Sequence, residues 1–196
     1  MDGATSLGRK GTASILAAIK AKGGRPAIIK DLLGINNHAQ IRNGLRAMEE
    51  DGLIELSVGL AEHKTIQIRL TPLGEEAANA LELMERFIYG GPTEDSCLDM
   101  RYCSTLLLRI KALGHATQNE VLAAVPSYKT VVKTLAALDE GGLVAIERNP
   151  DNGRLTITLT TLGETCAGIY TMLEDKIKAG RKADARGRRK GFQYLL

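Results

Sequence analysis

Apolar and polar positions alternate along the first 90 residues in a series of short, distinct patterns. In "ASILAAIKAKGG", Ile15, Leu16 and Ile19 recur at helical spacing, and Gly23-Gly24 closes the run. "PAIIKDLLG" predicts a short second helix, opened by Pro26 and closed by Gly34. "NNHAQIRNGLRAMEEDG" predicts a third, capped by Asn36 or Asn37, with Ile41, Leu45 and Met48 on one face and Gly52 just past its end. "LIELSVG" and "KTIQIRLT" read as two strands joined by a polar turn around "LAEHK". The long amphipathic helix "PLGEEAANALELMERFI" completes the set.

The same order is then written again. "STLLLRIKALG", "QNEVLAAV" and "SYKTVVKTLAALDEGG" predict three helices, the third capped by Ser127 with Val131, Leu135 and Leu138 inward. "LVAIERN" and "RLTITLT" form a hairpin about the turn signal "NPDNG", and "TLGETCAGIYTMLEDKI" is the closing helix. Paired residues fix the register: Leu45, Met48, Gly52 and Leu53 match Leu135, Leu138, Gly142 and Leu143. Leu70, Thr71, Leu73, Gly74 and Glu75 match Leu159, Thr160, Leu162, Gly163 and Glu164. A repeat this long is not a solenoid unit; it predicts two copies of one small domain. The expected division is a flexible N-terminus (1–11), a first domain (12–90), a linker (91–100), a second domain (101–178) and a tail (179–196).

Composition narrows the function classes. The chain has 196 residues, 44% hydrophobic but only 4% aromatic, so the cores are aliphatic. No apolar run is long enough to span a membrane, and the N-terminus lacks the apolar segment of a secretory signal, so a cytoplasmic location is expected. Cys97, Cys103 and Cys166 have no metal-like spacing and read as free thiols; no metal or other cofactor is expected. His38, His63 and His115 lie far apart, no phosphate-binding glycine loop is present, and catalysis is not expected. The net charge of +3 hides an asymmetry. Residues 176–196 hold eight Lys/Arg and one acid, which leaves residues 1–175 at a net of −4.

Helix, helix, helix, two-stranded wing and final helix is an order that resembles the winged helix-turn-helix. "IRNGLRAMEEDGLIE" and "VVKTLAALDEGGLVA" resemble a recognition helix running into its wing. "RLTPLGEEAANAL" and "TLTTLGETCAGI" resemble the Leu-Thr-x-x-Gly exit of MarR-like and PadR-like regulators. The resemblance implies a mainly α fold with small β-hairpin wings (α+β), as two tandem winged helix-turn-helix domains. It also implies double-stranded DNA as partner, with the third helix of each copy in the major groove. The candidate contacts are then His38, Gln40, Arg42, Asn43 and Arg46 in copy one and Tyr128, Lys129, Thr130, Lys133 and Thr134 in copy two. Lys64, Arg148 and Arg154 are the wing candidates.

Charge supports this placement: cations occupy the front of each third helix, and Glu49, Glu50, Asp51, Asp139 and Glu140 the back. Acids at a helix C-terminus oppose its dipole, so local stability does not explain the arrangement. Arg181, Lys182, Arg186, Arg188, Arg189 and Lys190 form a tail expected to track phosphates. The expected protein is a transcriptional regulator or chromatin factor, nucleoid-associated if it binds DNA. Two non-identical helices would act as a pseudo-dimer on half-sites roughly 34 Å apart. The alternative is a tandem winged-helix adaptor for a protein partner, ScpB-like or ESCRT-II-like, which the acidic body favours. A monomer or loose homodimer is expected under both.

Overall fold

Ile15, Leu16 and Ile19 are buried because α1 (Thr12–Lys20) turns that one face inward. The computed structural model describes residues 5–34, 38–58, 66–93, 95–123, 125–150 and 152–185, with backbone alone at 38 and 182–185. After α1 come β1 (Ala27–Ile28), a 3₁₀ turn (Ile29–Leu32), α2 (His38–Glu50), β2 (Ile54–Val58), β3 (Ile66–Leu70) and α3 (Pro72–Tyr89). The second half runs α4 (Cys103–Leu113), β4 (His115–Thr117), α5 (Gln118–Leu122), α6 (Tyr128–Glu140), β5 (Val144–Arg148), β6 (Leu155–Leu159) and α7 (Thr161–Ala185). Two antiparallel three-stranded sheets have the orders β1-β3-β2 and β4-β6-β5. The chain is mixed α+β, with seven α-helices among the described residues.

Two local expectations change. "PAIIKDLLG" is a strand followed by a 3₁₀ turn, not an α-helix. Ala27 pairs with Ile68, and the Asp31 carboxylate accepts the Ile28 N–H at 2.9 Å, which holds Ile28 extended. In the second half β4 precedes a helix of five residues, opened by a Thr117–Glu120 capping box. Each hairpin therefore gains a third strand. The caps proposed at Asn36 and Asn37 lie outside the described residues. Ser127 occupies the N-cap of α6, but its hydroxyl meets Thr130 Oγ1 at 2.9 Å rather than a helix N–H.

The repeated Leu-Thr-x-x-Gly phrase has one physical explanation in both halves. Thr71 Oγ1 donates to the Gly52 carbonyl at 2.6 Å and accepts from Gly74 N at 3.0 Å; Thr160 does the same with Gly142 and Gly163. Each threonine thus ties the end of one helix to the start of another. The glycine is required by close approach. A Cβ on Gly74 would stand 1.8 Å from the Leu53 carbonyl oxygen, and one on Gly163 1.8 Å from that of Leu143.

The segments set aside as N-terminus and linker hold part of the core. Leu7 lies in a 3₁₀ turn (Ser6–Gly8), and Cys97 and Leu98 in another (Cys97–Asp99); all three are buried in a single apolar cluster with residues of both halves. The two segments meet through paired backbone bonds. Gly11 N–H donates to Asp99 C=O at 3.0 Å, and Tyr102 N–H to Gly8 C=O at 2.8 Å. A shift of 91 residues turns one bond into the other. Beyond them α3 packs on α7, joined by a Lys176–Glu76 ion pair. α7 continues past residue 178 to Ala185, so the start expected for the tail at 179 falls inside a helix.

Candidate nucleic-acid interface

On α2 the buried face is Ile41, Leu45 and Met48, which leaves Gln40, Arg42, Asn43 and Arg46 exposed. Arg42 and Arg46 stand one turn apart on the same side of the helix. The backbone of His38 opens α2; its side chain lies outside the described residues. On α6, Tyr128 (62% exposed), Lys129 and Lys133 face outward, with Thr130 half-buried.

Thr134 does not join them. It is fully buried, and its hydroxyl donates to the Arg101 carbonyl at 2.9 Å. The period explains this: Val131, Thr134, Leu135 and Leu138 are spaced at three and four residues and share the inward face. Carrying the apolar period through a polar residue would have found it.

The second hairpin presents Arg148 and Arg154, both exposed, on either side of its turn. The turn is closed by Asn149 N–H to Arg154 C=O at 2.8 Å and by Gly153 in the left-handed region, φ 67°. Lys64 on the first hairpin lies outside the described residues, as do Arg186, Arg188, Arg189 and Lys190; of Lys182 only the backbone is described. Arg181 is not a tail cation. It sits on α7 and pairs with the buried Asp51, whose other oxygen accepts the Ser6 N–H at 2.6 Å.

Charge is partitioned. The ion pairs among the described residues use Lys20, Lys22, Arg86, Lys176, Lys178 and Arg181. Among those residues no acid lies within ion-pair distance of Arg42, Arg46, Lys129, Lys133, Arg148 or Arg154. Glu49, Glu50 and Glu55 instead line a cleft of about 500 Å³ at the far end of α2, with Arg69 and Arg181.

The three cysteines, distant in sequence, are all buried and influence one another's ionisation. The hydrogen bond between the Cys97 and Cys103 thiols lowers the first and, with burial, pushes the second well up. Burial raises Cys166 to about 11. Among the described residues no group of three or more His, Cys, Asp or Glu is arranged to hold a metal ion, and no helix is long and apolar enough to cross a membrane.

No family model matches the chain, and no curated protein matches it. Among the solved structures similar to part of it are two that each match little more than half of this chain. A probable transcriptional regulator from Pseudomonas aeruginosa is 20% identical over 58% of this chain and 84% of its own, with a TM-score of 0.38. MarR is 22% identical over 58% of this chain and 83% of its own, with a TM-score of 0.39. Neither likeness is close enough to assign the chain to a family.

Proposed function

We propose that the chain is a double-stranded DNA-binding transcriptional regulator in which two tandem winged-helix halves act as a built-in pseudo-dimer. One observation carries the reading. α2 and α6, at equivalent places in the two halves, each present exposed cations with no acid partner among the described residues, while the acids of α2 gather at its other end. Unpaired cations on a helix face suit phosphate neutralisation, and Arg42, Asn43 and Arg46 can also donate to base edges. Arg148 and Arg154 would follow the backbone from the wing, and the cations after Ala185 would add affinity without sequence information. The MarR likeness agrees with this reading and does not bear its weight.

The test is fluorescence anisotropy on a random-sequence duplex across a salt series, comparing the full chain with residues 1–185. Ending at 185 keeps Arg181 on Asp51, which a cut at 178 would remove. Binding by the shorter chain with a shallower salt slope supports contact by the helices. Binding by the full chain alone would reduce the DNA contact to a basic arm.

A second reading, an adaptor for a protein partner, is favoured by the exposed Leu83, Phe87 and Met172 on α3 and α7. Those residues lie on helices that do not carry the unpaired cations, so substituting them should leave DNA affinity unchanged.

A further inference from the structure

We infer that Lys10 and Arg101 form a third phosphate contact, between the two recognition helices; this rests on the DNA-binding reading above. The two residues occupy equivalent places, 91 positions apart, in the segments joined by the reciprocal backbone bonds. Those bonds enclose Arg9 and Lys10 in one segment and Met100 and Arg101 in the other. Arg9, Lys10 and Arg101 are exposed, while Leu7, Thr12, Leu98 and Cys103 around them are buried. Three cations are therefore gathered where the halves meet, and none has an acid within ion-pair distance among the described residues.

Each segment is fastened to its recognition helix. The Arg101 carbonyl accepts from Thr134 in the middle of α6, and Cys97 lies 3.4 Å from where a Cβ on Gly141, just past the end of α6, would stand. In the first half the Ser6 N–H is held by Asp51, just past the end of α2. In the second half the segment thus runs back along α6 from its acidic end and reaches Arg101 at mid-helix; in the first half Ser6 marks the same starting point beside the end of α2. Thr134, expected from sequence to touch DNA, is a positioning residue for Arg101.

A second observation marks the place. Tyr102 is the one non-glycine residue with positive φ among the described residues, at 71°, and its equivalent is Gly11 at 78°. A side chain in that region is strained, and strain of this kind concentrates at functional sites. The Tyr102 ring lies beneath the Arg101 guanidinium, 4.8 Å from its centroid. Stacking restricts the arginine and leaves its N–H groups free to donate. The ligand is the phosphate backbone of the duplex stretch bridging the two half-sites.

The test uses the full chain, a 30-base-pair random duplex and anisotropy over a salt series. Lys10→Ala/Arg101→Ala is expected to lower the salt slope by about two and the affinity at 0.1 M salt by roughly tenfold or more. Arg101→Lys should restore about half of the lost slope when placed beside Lys10→Ala. The control is Arg42→Ala/Arg46→Ala. If the control weakens binding while the Lys10/Arg101 pair keeps the parent slope and affinity, this inference fails and the proposed function stands. If the parent chain does not bind the duplex at 50 mM salt, both fail. Thermal melts within a few degrees of the parent exclude misfolding, since both side chains are exposed.

Discussion

The two halves close the same backbone arrangement with different chemistry. In the first, Asp51 follows α2, is 2% exposed, and is held by Ser6 N–H and Arg181. In the second, the equivalent residue is Gly141, and a Cβ there would stand 3.4 Å from Cys97 Sγ and from Ile88 Cγ2. Ser6, Thr12, Ala77 and Leu81 in the first half correspond to Cys97, Cys103, Cys166 and Tyr170 in the second. One joint is carboxylate, hydroxyl and guanidinium; the other is thiol, phenol and hydrocarbon. The backbone therefore does not require either set. The buried charge is met by a cation and a backbone N–H and the apolar surface by contact, while among the described residues the Ser6 and Tyr170 hydroxyls are buried with no hydrogen-bond partner.

The largest effect should come where the halves are identical. Gly74→Ala and Gly163→Ala each drive a methyl group into a backbone carbonyl 1.8 Å away that cannot move without unpicking the Thr71 or Thr160 bonds. Each should cost more than about 4 kcal/mol, and the two costs should match within about 1 kcal/mol. Urea unfolding measures both. A mild effect at either site would show that the two exits are not built alike.

Next come exchanges between the joints. Arg181→Ala leaves the Asp51 carboxylate buried with the Ser6 N–H and no cation, and should cost about 3 kcal/mol. Gly141→Asp places a carboxylate against the Cys97 thiol and an Ile88 methyl group, and should cost about 3–5 kcal/mol. Melting and urea midpoints would record both. If Gly141→Asp were harmless, the second joint would not be the apolar contact described above.

The two helices proposed to contact DNA differ in the same spirit. α2 offers Arg42, Asn43 and Arg46, and α6 offers Lys129 and Lys133. Arginine and asparagine can pair with base edges through two bonds; lysine acts as a point charge on phosphate. On a selected site, Arg46→Ala should cost about 1–3 kcal/mol and relax sequence preference in one half-site. Lys133→Ala should weaken all sequences alike and lower the salt slope by about one. Binding selection with each variant separates the two. Equal loss of preference from both would mean that the halves read DNA in the same way.

Much of this was legible in the residues. The helical period placed Ile15, Leu16, Ile19, Leu45, Met48, Leu135 and Leu138 correctly in the core, and Gly52 and Gly142 adopt the left-handed turn expected of them. β1 and β4 were not legible, because two or three residues carry no periodicity and their pairing depends on a strand some 40 positions away. Leu7 and Leu98 were not legible for a related reason: each sits in a single 3₁₀ turn with no period of its own, and is buried by helices of both halves. For Thr134 and Arg181 residue type points outward, while position in the fold turns each one inward. Both are polar, and both are committed to an internal partner.

The smallest effect tests the thiol joint by pH. Burial raises Cys166 from an ordinary value near 9 to about 11. An unfolded chain would release that proton near pH 9, while the folded chain would hold it until about 11. The contribution is therefore fully present below pH 9 and is lost as pH rises toward 11. Tyr170, pushed well above its ordinary value by burial, should act in the same direction at higher pH. Cys166→Ala writes in the residue that the first half has at Ala77, and both positions are fully buried. Between pH 8 and pH 10 the melting temperature of the parent should fall by roughly 2–4 °C more than that of the variant. Ala77→Cys in the first half would show whether burial alone is sufficient. If it reproduces the alkaline loss, burial at this position sets the thiol's ionisation; if it does not, the shift depends on Cys97, the neighbouring thiol that also raises Cys166.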